Sequence, residues 1–158
     1  MKQWPRCRAV RSFLYLTLLV AGCVAIGFVV RVQVLQVGDG GPGFRLAEGE
    51  TFSLCYIQSM YGVPVTEKFR VEKGHLLLFH VISSDAALEY FGIERKEENN
   101  VRRTLVEFSI PRASVGKHVL TVRDREIRLG DLGGQGEPIR IRMARMPFIM
   151  YSATQVWR

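Results

Sequence analysis

One uncharged stretch near the start of the chain constrains its fold more than any other feature. From Ser12 to Val30 the sequence SFLYLTLLVAGCVAIGFVV has 19 residues without a charge, close to the roughly 20 that a helix needs to cross a membrane. Four basic residues precede this stretch and few follow it closely, which keeps the N-terminus cytoplasmic. We predict a cytoplasmic tail over residues 1–11, a single-pass signal anchor over 12–30 in the cytoplasmic membrane, and an extracytoplasmic domain over 31–158.

The same stretch contains a second anchoring signal. The residues before Cys23 read LVAG, the small-residue pattern that precedes the lipidated cysteine of a bacterial lipoprotein. The apolar run continues for seven residues beyond Cys23, whereas the apolar part of a secretory signal is only about 7 to 15 residues long. We favour the uncleaved anchor and keep lipidation of Cys23 as the alternative. Both leave the domain tethered outside the cytoplasm.

Charge and cysteine content exclude several classes of function for the outer domain. The net charge of +7 falls to +3 after Val30, because four of the 22 basic residues precede that point and all 15 acidic residues follow it. So small a surplus argues against a nucleic-acid-binding surface. Cys55 is the only cysteine after Val30, so neither an intrachain disulfide nor a cysteine-based zinc site is available to the domain.

Alternating apolar and polar residues predict strands through most of the outer domain. The predicted strands cover residues 31–37, 51–58, 66–72, 75–82, 102–110, 117–123, 126–129 and 139–143. Within 102–110 we expect Thr104, Val106, Phe108 and Ile110 to share one face. A short helix or irregular segment is predicted over 85–96. About seven short strands and little helix favour an all-β fold, an antiparallel sandwich or small barrel.

The tail over 146–158 is left unassigned. Its aromatic residues could either cap the core or touch lipid.

Residue patterns typical of catalysis or metal binding are sparse. His75 and His80 are five residues apart on one predicted strand and so point to opposite faces, and His118 stands alone. We therefore predict no metal site and no cofactor. An enzymatic alternative is a hydrolase that uses Ser59 and Glu67, which flank the same hairpin turn, but nucleophilic catalysis also requires an adjacent and oriented base.

Four arginines lie on two of the predicted strands. If those strands adjoin, their guanidinium groups could form an anion-binding patch and make the domain a small ligand-binding sandwich. A solvated sheet face explains the alternation more simply. These residues are Arg102, Arg103, Arg140 and Arg142.

Two segments of the outer domain resemble the DUF1850 family of small exported proteins. The first is FSLCYIQSMYGVPVTEKFRV, which is similar to the family's characteristic hairpin at Phe52, Leu54, Tyr56, Ser59, Pro64, Val65, Glu67, Phe69 and Val71. The second is LGDLGGQGEPI from Leu129 to Ile139. Together the resemblance covers most of residues 31–145. Gln58 stands where the family has a histidine, and residues 83–87 replace a glycine-rich stretch.

This resemblance implies a partner. DUF1850 proteins are often found with TAXI-type TRAP transporters, which take up organic anions by means of an exported binding protein and a membrane permease. By this resemblance we expect a non-enzymatic accessory that docks to the permease or its binding protein. The docking hairpin would run from Gln58 to Glu67. Its binding residues would be Tyr56, Gln58, Ser59, Pro64 and Glu67.

Overall fold

Strands dominate the part of the chain that the computed structural model describes, which comprises residues 6–96, 100–132 and 136–156. Residues 1–5 of the predicted tail and residues 133–135 of the second family-like segment lie outside it. The elements in chain order are α1 (Arg6–Val29), β1 (Arg31–Val37), β2 (Gly43–Arg45), β3 (Thr51–Gln58), β4 (Val63–Glu72), β5 (His75–Ile82), α2 (Asp85–Tyr90), β6 (Arg103–Leu105), β7 (Glu107–Ile110), β8 (Val119–Val122), β9 (Arg125–Arg128), β10 (Ile139–Pro147) and α3 (Phe148–Val156). Short 3-10 helices cover Arg112–Lys117 and Leu129–Asp131.

The strands form two antiparallel sheets, which confirms the predicted all-β antiparallel class and favours its sandwich form over a small barrel. The described part of the chain contains ten strands, whereas about seven were predicted. The six-stranded sheet has the order β6-β5-β4-β3-β8-β9, and the four-stranded sheet has the order β2-β1-β10-β7. Strands β1, β3 and β5 have the predicted bounds, and β3, β4 and β5 are antiparallel neighbours as expected. Strand β4 begins three residues before the predicted start, because its first residues pair with the end of β3.

The chain divides into two compact units. The first, here called the helical unit, contains α1 and α3. The second, the β unit, runs from Gln33 to Ala144. The tail after Arg145 therefore groups with the N-terminal helix and not with the predicted outer domain. Among residues whose side chains are described, which begin at Ser12 and omit Phe13, no helix is both long and apolar enough to cross a membrane. The transmembrane assignment of residues 12–30 stays a prediction.

A stack of three aromatic rings joins the two sheets in the core of the β unit. The Phe69 ring on β4 lies 5.0 Å from the Phe52 ring on β3 and 5.0 Å from the Phe108 ring on β7, centroid to centroid. Because β7 belongs to the four-stranded sheet and β3 and β4 to the other, these rings fill the space where the two inner faces interdigitate. Fully buried aliphatic residues surround them, among them Leu35, Val71, Leu76, Leu120, Leu129 and Ile141.

The predicted continuous strand over residues 102–110 is wrong. The chain bends at Val106, and the segments before and after it, β6 and β7, belong to different sheets. Val106 is 71% exposed and Thr104 is exposed, whereas Ile110 is buried. Thr104 and Val106 therefore do not share the buried face that Phe108 and Ile110 occupy on β7. The period-two pattern persists across the bend because each short strand has that period separately.

Helix α2 is shorter than the predicted segment over 85–96. The Ser84 hydroxyl accepts a hydrogen bond from the backbone amide of Ala87, so Ser84 is the N-cap of this helix. The helix ends two residues before Gly92, which has a φ of +67°. This left-handed conformation is favourable for glycine and is a common way to end a helix.

Candidate functional site

Two residues of the family-like hairpin meet on the inward face of the six-stranded sheet. Tyr56 on β3 pairs with Val65 on β4, and Leu54 pairs with Glu67. Tyr56 and Glu67 are thus diagonal neighbours on the same face as the buried Val65 and Leu54. The Tyr56 hydroxyl donates a hydrogen bond to Glu67 Oε1 over 3.0 Å. The hairpin thus contains one polar pair on an otherwise apolar face.

Burial determines the protonation of this pair. Loss of hydration raises the pKa of the Glu67 carboxyl, and the hydrogen bond from Tyr56 opposes this shift only in part. Burial, and then the neighbouring Glu67 carboxylate, raise the pKa of the Tyr56 hydroxyl well above its usual range. The surroundings of both groups therefore favour their neutral forms.

A histidine completes this site. The register of β3 and β8 continues to a position where His118 lies opposite Tyr56, and their rings stack with centroids 4.9 Å apart and an interplanar angle of 13°. Burial lowers the pKa of His118; the backbone at Ser114 and Val115 opposes the shift. The Nδ1 atom of His118 is buried and has no hydrogen-bond partner among the described residues. Burial therefore favours the neutral form of the imidazole.

Tyr56, Glu67 and His118 together are called the polar cluster. A carboxyl, a phenol and an imidazole can exchange protons, but catalysis also requires a concave site that admits substrate. A cavity of about 400 Å³ in the β unit lies beside α2. It is lined by Asp85, Leu88, Glu89, Gly92, Ile93, Glu94 and Arg95. This cavity does not bring a substrate to the polar cluster.

Other motif residues shape the hairpin turn. Gln58 Oε1 accepts a hydrogen bond from the Tyr61 amide, and the Gln58 carbonyl accepts one from the Gly62 amide, each over 2.8 Å. Gly62 has a φ of +65°, a conformation that few side chains tolerate. Pro64 is exposed and pairs with Ile57. Gln58 therefore holds the turn from within, and Pro64 is presented at its surface.

Ser59 and Glu67 are not brought together. Ser59 lies exposed in the turn, whereas Glu67 faces inward and is bonded to Tyr56. Glu67 pairs with Leu54, so the two residues are separated by about five residues of strand, roughly 17 Å at about 3.3 Å per residue. Such a separation does not provide the adjacent base that the hydrolase alternative requires.

Large apolar side chains are exposed together at the tip of the hairpin. The Tyr61 ring contacts the Tyr90 ring edge-on with centroids 5.8 Å apart, and Tyr90 contacts Phe91 in the same way at 5.6 Å. Met60 adjoins Tyr61 in the turn. The four side chains, called the aromatic patch, are exposed by 61% (Met60), 44% (Tyr61), 55% (Tyr90) and 39% (Phe91). Contiguous exposed apolar surface of this kind marks interaction sites.

The four arginines of the predicted anion patch lie on strands that do not adjoin. Arg103 begins β6 in the six-stranded sheet and Arg102 directly precedes it, whereas Arg140 and Arg142 are on β10 in the other sheet. Arg102 is 3.9 Å from the Glu72 carboxylate. Arg142 faces a carboxylate at 3.7 Å and a glutamine oxygen at 3.4 Å. The topology therefore does not assemble them into one site.

Cysteines and histidines form no metal centre within the described residues. No group of three or more histidine, cysteine or acidic side chains there could hold an ion. Cys55 Sγ lies 3.3 Å from Thr66 Oγ1, and Cys23 is exposed on α1. His75 is exposed and its Nδ1 contacts a backbone carbonyl, whereas His80 is buried.

Sequence reasoning missed three members of these sites. His118 reaches Tyr56 only through the pairing of β3 with β8, and Tyr90 and Phe91 reach Tyr61 only through the placement of α2. Local patterns contain no signal for either arrangement.

No family model, curated protein or solved structure matches this chain.

Proposed function

We propose that this protein is a non-enzymatic accessory tethered to the outer face of the cytoplasmic membrane, where it docks to a TRAP-type organic-anion transporter or its binding protein. The observation that carries the proposal is the aromatic patch. Methionine and aromatic side chains are enriched at the centres of protein interfaces. Exposure of four such side chains to water is unfavourable in free energy, and docking to a partner would remove that exposure. The type of partner comes from the family resemblance of the hairpin.

The anchor is supported by the length and surface of α1. Its 24 residues extend about 36 Å at 1.5 Å per residue, more than the roughly 30 Å of a membrane's hydrocarbon core. Leu14, Leu18, Leu19 and Phe28 are each more than half exposed. A helix with apolar side chains exposed on several sides suits lipid better than water. Cys23, also exposed on α1, keeps the lipoprotein alternative open.

The family-like residues support docking by holding the hairpin and not by performing chemistry. Tyr56 and Glu67 bond to each other inside the β unit, and Gln58 bonds to the backbone of the turn. These contacts fix the part of the turn that carries Met60 and Tyr61. A rigid apolar tip loses little conformational freedom on binding, which favours affinity. The hydrolase alternative has no comparable support, because Glu67 faces inward and is bonded to Tyr56, away from Ser59 in the exposed turn.

The proposal is tested by capture of the full-length protein from detergent-solubilised membranes. We expect the unaltered chain to co-purify with a permease or its binding protein. The double variant Met60→Ser, Tyr61→Ser should lose at least about tenfold in captured partner, because interface anchors contribute about 2 kcal/mol or more and about 1.4 kcal/mol is tenfold. Intact mass of the captured chain distinguishes an uncleaved terminus from a lipidated Cys23.

The matched control is Val106→Ser, which removes an apolar side chain that is 71% exposed and lies outside the patch. It should capture the same partner as the unaltered chain. Equal capture by the tip variant would contradict docking through the patch. If no transporter component co-purifies with the unaltered chain, and deletion of the protein leaves organic-anion uptake unchanged, the accessory function is wrong.

A further inference from the structure

The C-terminal helix α3 has a composition unsuited to water. Its sequence FIMYSATQV contains no charged residue, and it has nine residues. At 1.5 Å per residue it is about 14 Å long, roughly half the thickness of a bilayer's hydrocarbon core. It is therefore too short to span a membrane, but long enough to cover one leaflet.

Helix α3 packs against the C-terminal end of α1 within the helical unit. The backbone amide of Phe148 donates a hydrogen bond to the carbonyl of Val30 over 2.8 Å. A Cβ atom placed on Gly27 would lie 3.4 Å from Ile149 Cβ, at the close limit of van der Waals contact. Glycine at this position therefore allows the helices to approach closely, as small residues do where helices pack in membranes.

Hydroxyl groups on the two helices bond to their own backbone. Ser152 Oγ lies 3.0 Å from the carbonyl oxygens of both Phe148 and Ile149, and Thr17 Oγ1 donates to the Leu14 carbonyl over 2.9 Å. In hydrocarbon no water can take over these bonds, so polar groups there must be satisfied internally. Both helices satisfy this condition at these positions.

We infer that α3 is a lipid-contacting helix that is embedded beside α1 in the outer leaflet, with Phe148 and Met150 against acyl chains. These side chains are 43% and 56% exposed, and they continue the exposed apolar surface of α1 in the same compact unit. The inference rests on the proposed anchoring by α1. With α3 in lipid, the chain that leaves the β unit at Ala144 returns to the membrane, so the unit is held at both of its ends.

Acyl-chain nitroxide quenching tests the inference in the full chain. Cys7, Cys23 and Cys55 are replaced by serine, and one environment-sensitive fluorophore is attached at Leu18→Cys in α1, at Met150→Cys in α3 or at Glu126→Cys on exposed β9. Each protein is placed at one chain per phosphatidylcholine–phosphatidylglycerol nanodisc, which excludes a second copy. An interfacial helix is buried about 5–10 Å below the headgroup boundary, so shallow nitroxides should quench the Met150 label about twofold and leave the Glu126 label unchanged.

The Leu18 label separates failure of this inference from failure of the proposed function. If deep nitroxides quench Leu18 while neither depth quenches Met150, α3 is not embedded and the inference is overturned, although the anchor stands. If neither label is quenched, both the anchor and the embedded helix are wrong. Quenching of Leu18 by deep and of Met150 by shallow nitroxides supports both.

Discussion

The two ends of the β3–β4 hairpin are stabilised in different ways. At the base, the Glu50 carboxylate accepts hydrogen bonds from the Arg123 guanidinium and from the Ala47 amide, the latter over 2.8 Å. Arg123 also donates to the Arg45 carbonyl over 2.9 Å, so one guanidinium joins the loop before β3 to the β8–β9 turn. At the tip, apolar side chains are exposed in the aromatic patch. The base is thus closed by contacts within the chain, whereas the tip carries exposed apolar surface.

Two glutamates of the hairpin region show the same contrast electrostatically. The hydrogen bond from Arg123 lowers the pKa of Glu50 despite opposing desolvation. Burial raises the pKa of Glu67, whose partner is the neutral Tyr56 hydroxyl. The positive Arg123 side chain thus stabilises the charged form of Glu50 at the base, whereas apolar surroundings disfavour the charged form of Glu67 in the polar cluster. The contributions of Glu50 and Glu67 to the free energy of unfolding should therefore change in opposite directions with pH.

The largest loss of stability is expected from a substitution in the core of the β unit, on which both ends of the hairpin depend. Phe69→Ala removes the ring that stacks on Phe52 and on Phe108, and should lower the free energy of unfolding by about 3–5 kcal/mol, because it leaves a cavity between the sheets. Chemical denaturation measures this loss. Phe69→Leu is the control and should lose less. If Phe69→Ala lost no more stability than the exposed-site variant Val106→Ser, the aromatic stack would not be what joins the two sheets.

Removal of the base contact should have the second largest effect. Glu50→Ala should lower the free energy of unfolding at pH 7 by about 1–2 kcal/mol, the contribution of charge-assisted hydrogen bonds. Because the folded pKa of Glu50 lies below its ordinary 4.5, its stabilisation is present above about pH 4.5 and is lost as pH falls through the folded value. The variant and the unaltered chain should therefore converge at low pH. Glu126→Ala, an exposed neighbour on β9, should be neutral, and equal losses from both variants would contradict a special role of Glu50.

The polar cluster should respond to pH in the opposite sense. The folded pKa of Glu67 lies above its ordinary 4.5, so its contribution is complete below about pH 4.5 and is lost as pH rises through the folded value. Glu67→Gln cannot ionise, and should be more stable than the unaltered chain at pH 8 by about 1 kcal/mol, the order of one buried polar interaction. Denaturation at pH 4 and pH 8 measures the difference. Glu107→Gln, at an exposed position of β7, is the matched control and should not reproduce this gain. An unchanged pH dependence in Glu67→Gln would contradict the raised pKa of Glu67.

The smallest effect on stability is expected at the tip. Tyr61→Ser removes one exposed ring and its edge contact with Tyr90, and should change the free energy of unfolding by only about 0.5 kcal/mol, as surface substitutions do. Thermal denaturation checks this. A loss as large as that from Glu50→Ala would mean that the patch serves the fold, and the contrast between the two ends would disappear.

Local patterns predicted the strands of the hairpin well and failed where tertiary contacts decide. Strand β3 has the predicted bounds because alternation between a buried and a wet face is a property of the strand itself. Strand β5 has them because a nearly unbroken apolar run between turn residues is typical of a strand that is covered on both faces. The bend at Val106 escaped prediction, because the apolar period continues while the chain passes from one sheet to the other. The anion patch did not assemble for the same reason, since β6 and β10 are in different sheets.

The sequence by itself determined the uncharged stretch from Ser12 to Val30, the β character of the chain and the inward alternation of Tyr56 with Leu54. Each of these depends on residues close together in the chain, so composition and period contain the information. Only the tertiary structure decided that His118 stacks on Tyr56, that Tyr90 joins Tyr61 at the tip, and that α3 returns to α1. These contacts join residues far apart in the chain, and their formation depends on sheet order and register, which local periodicity does not specify.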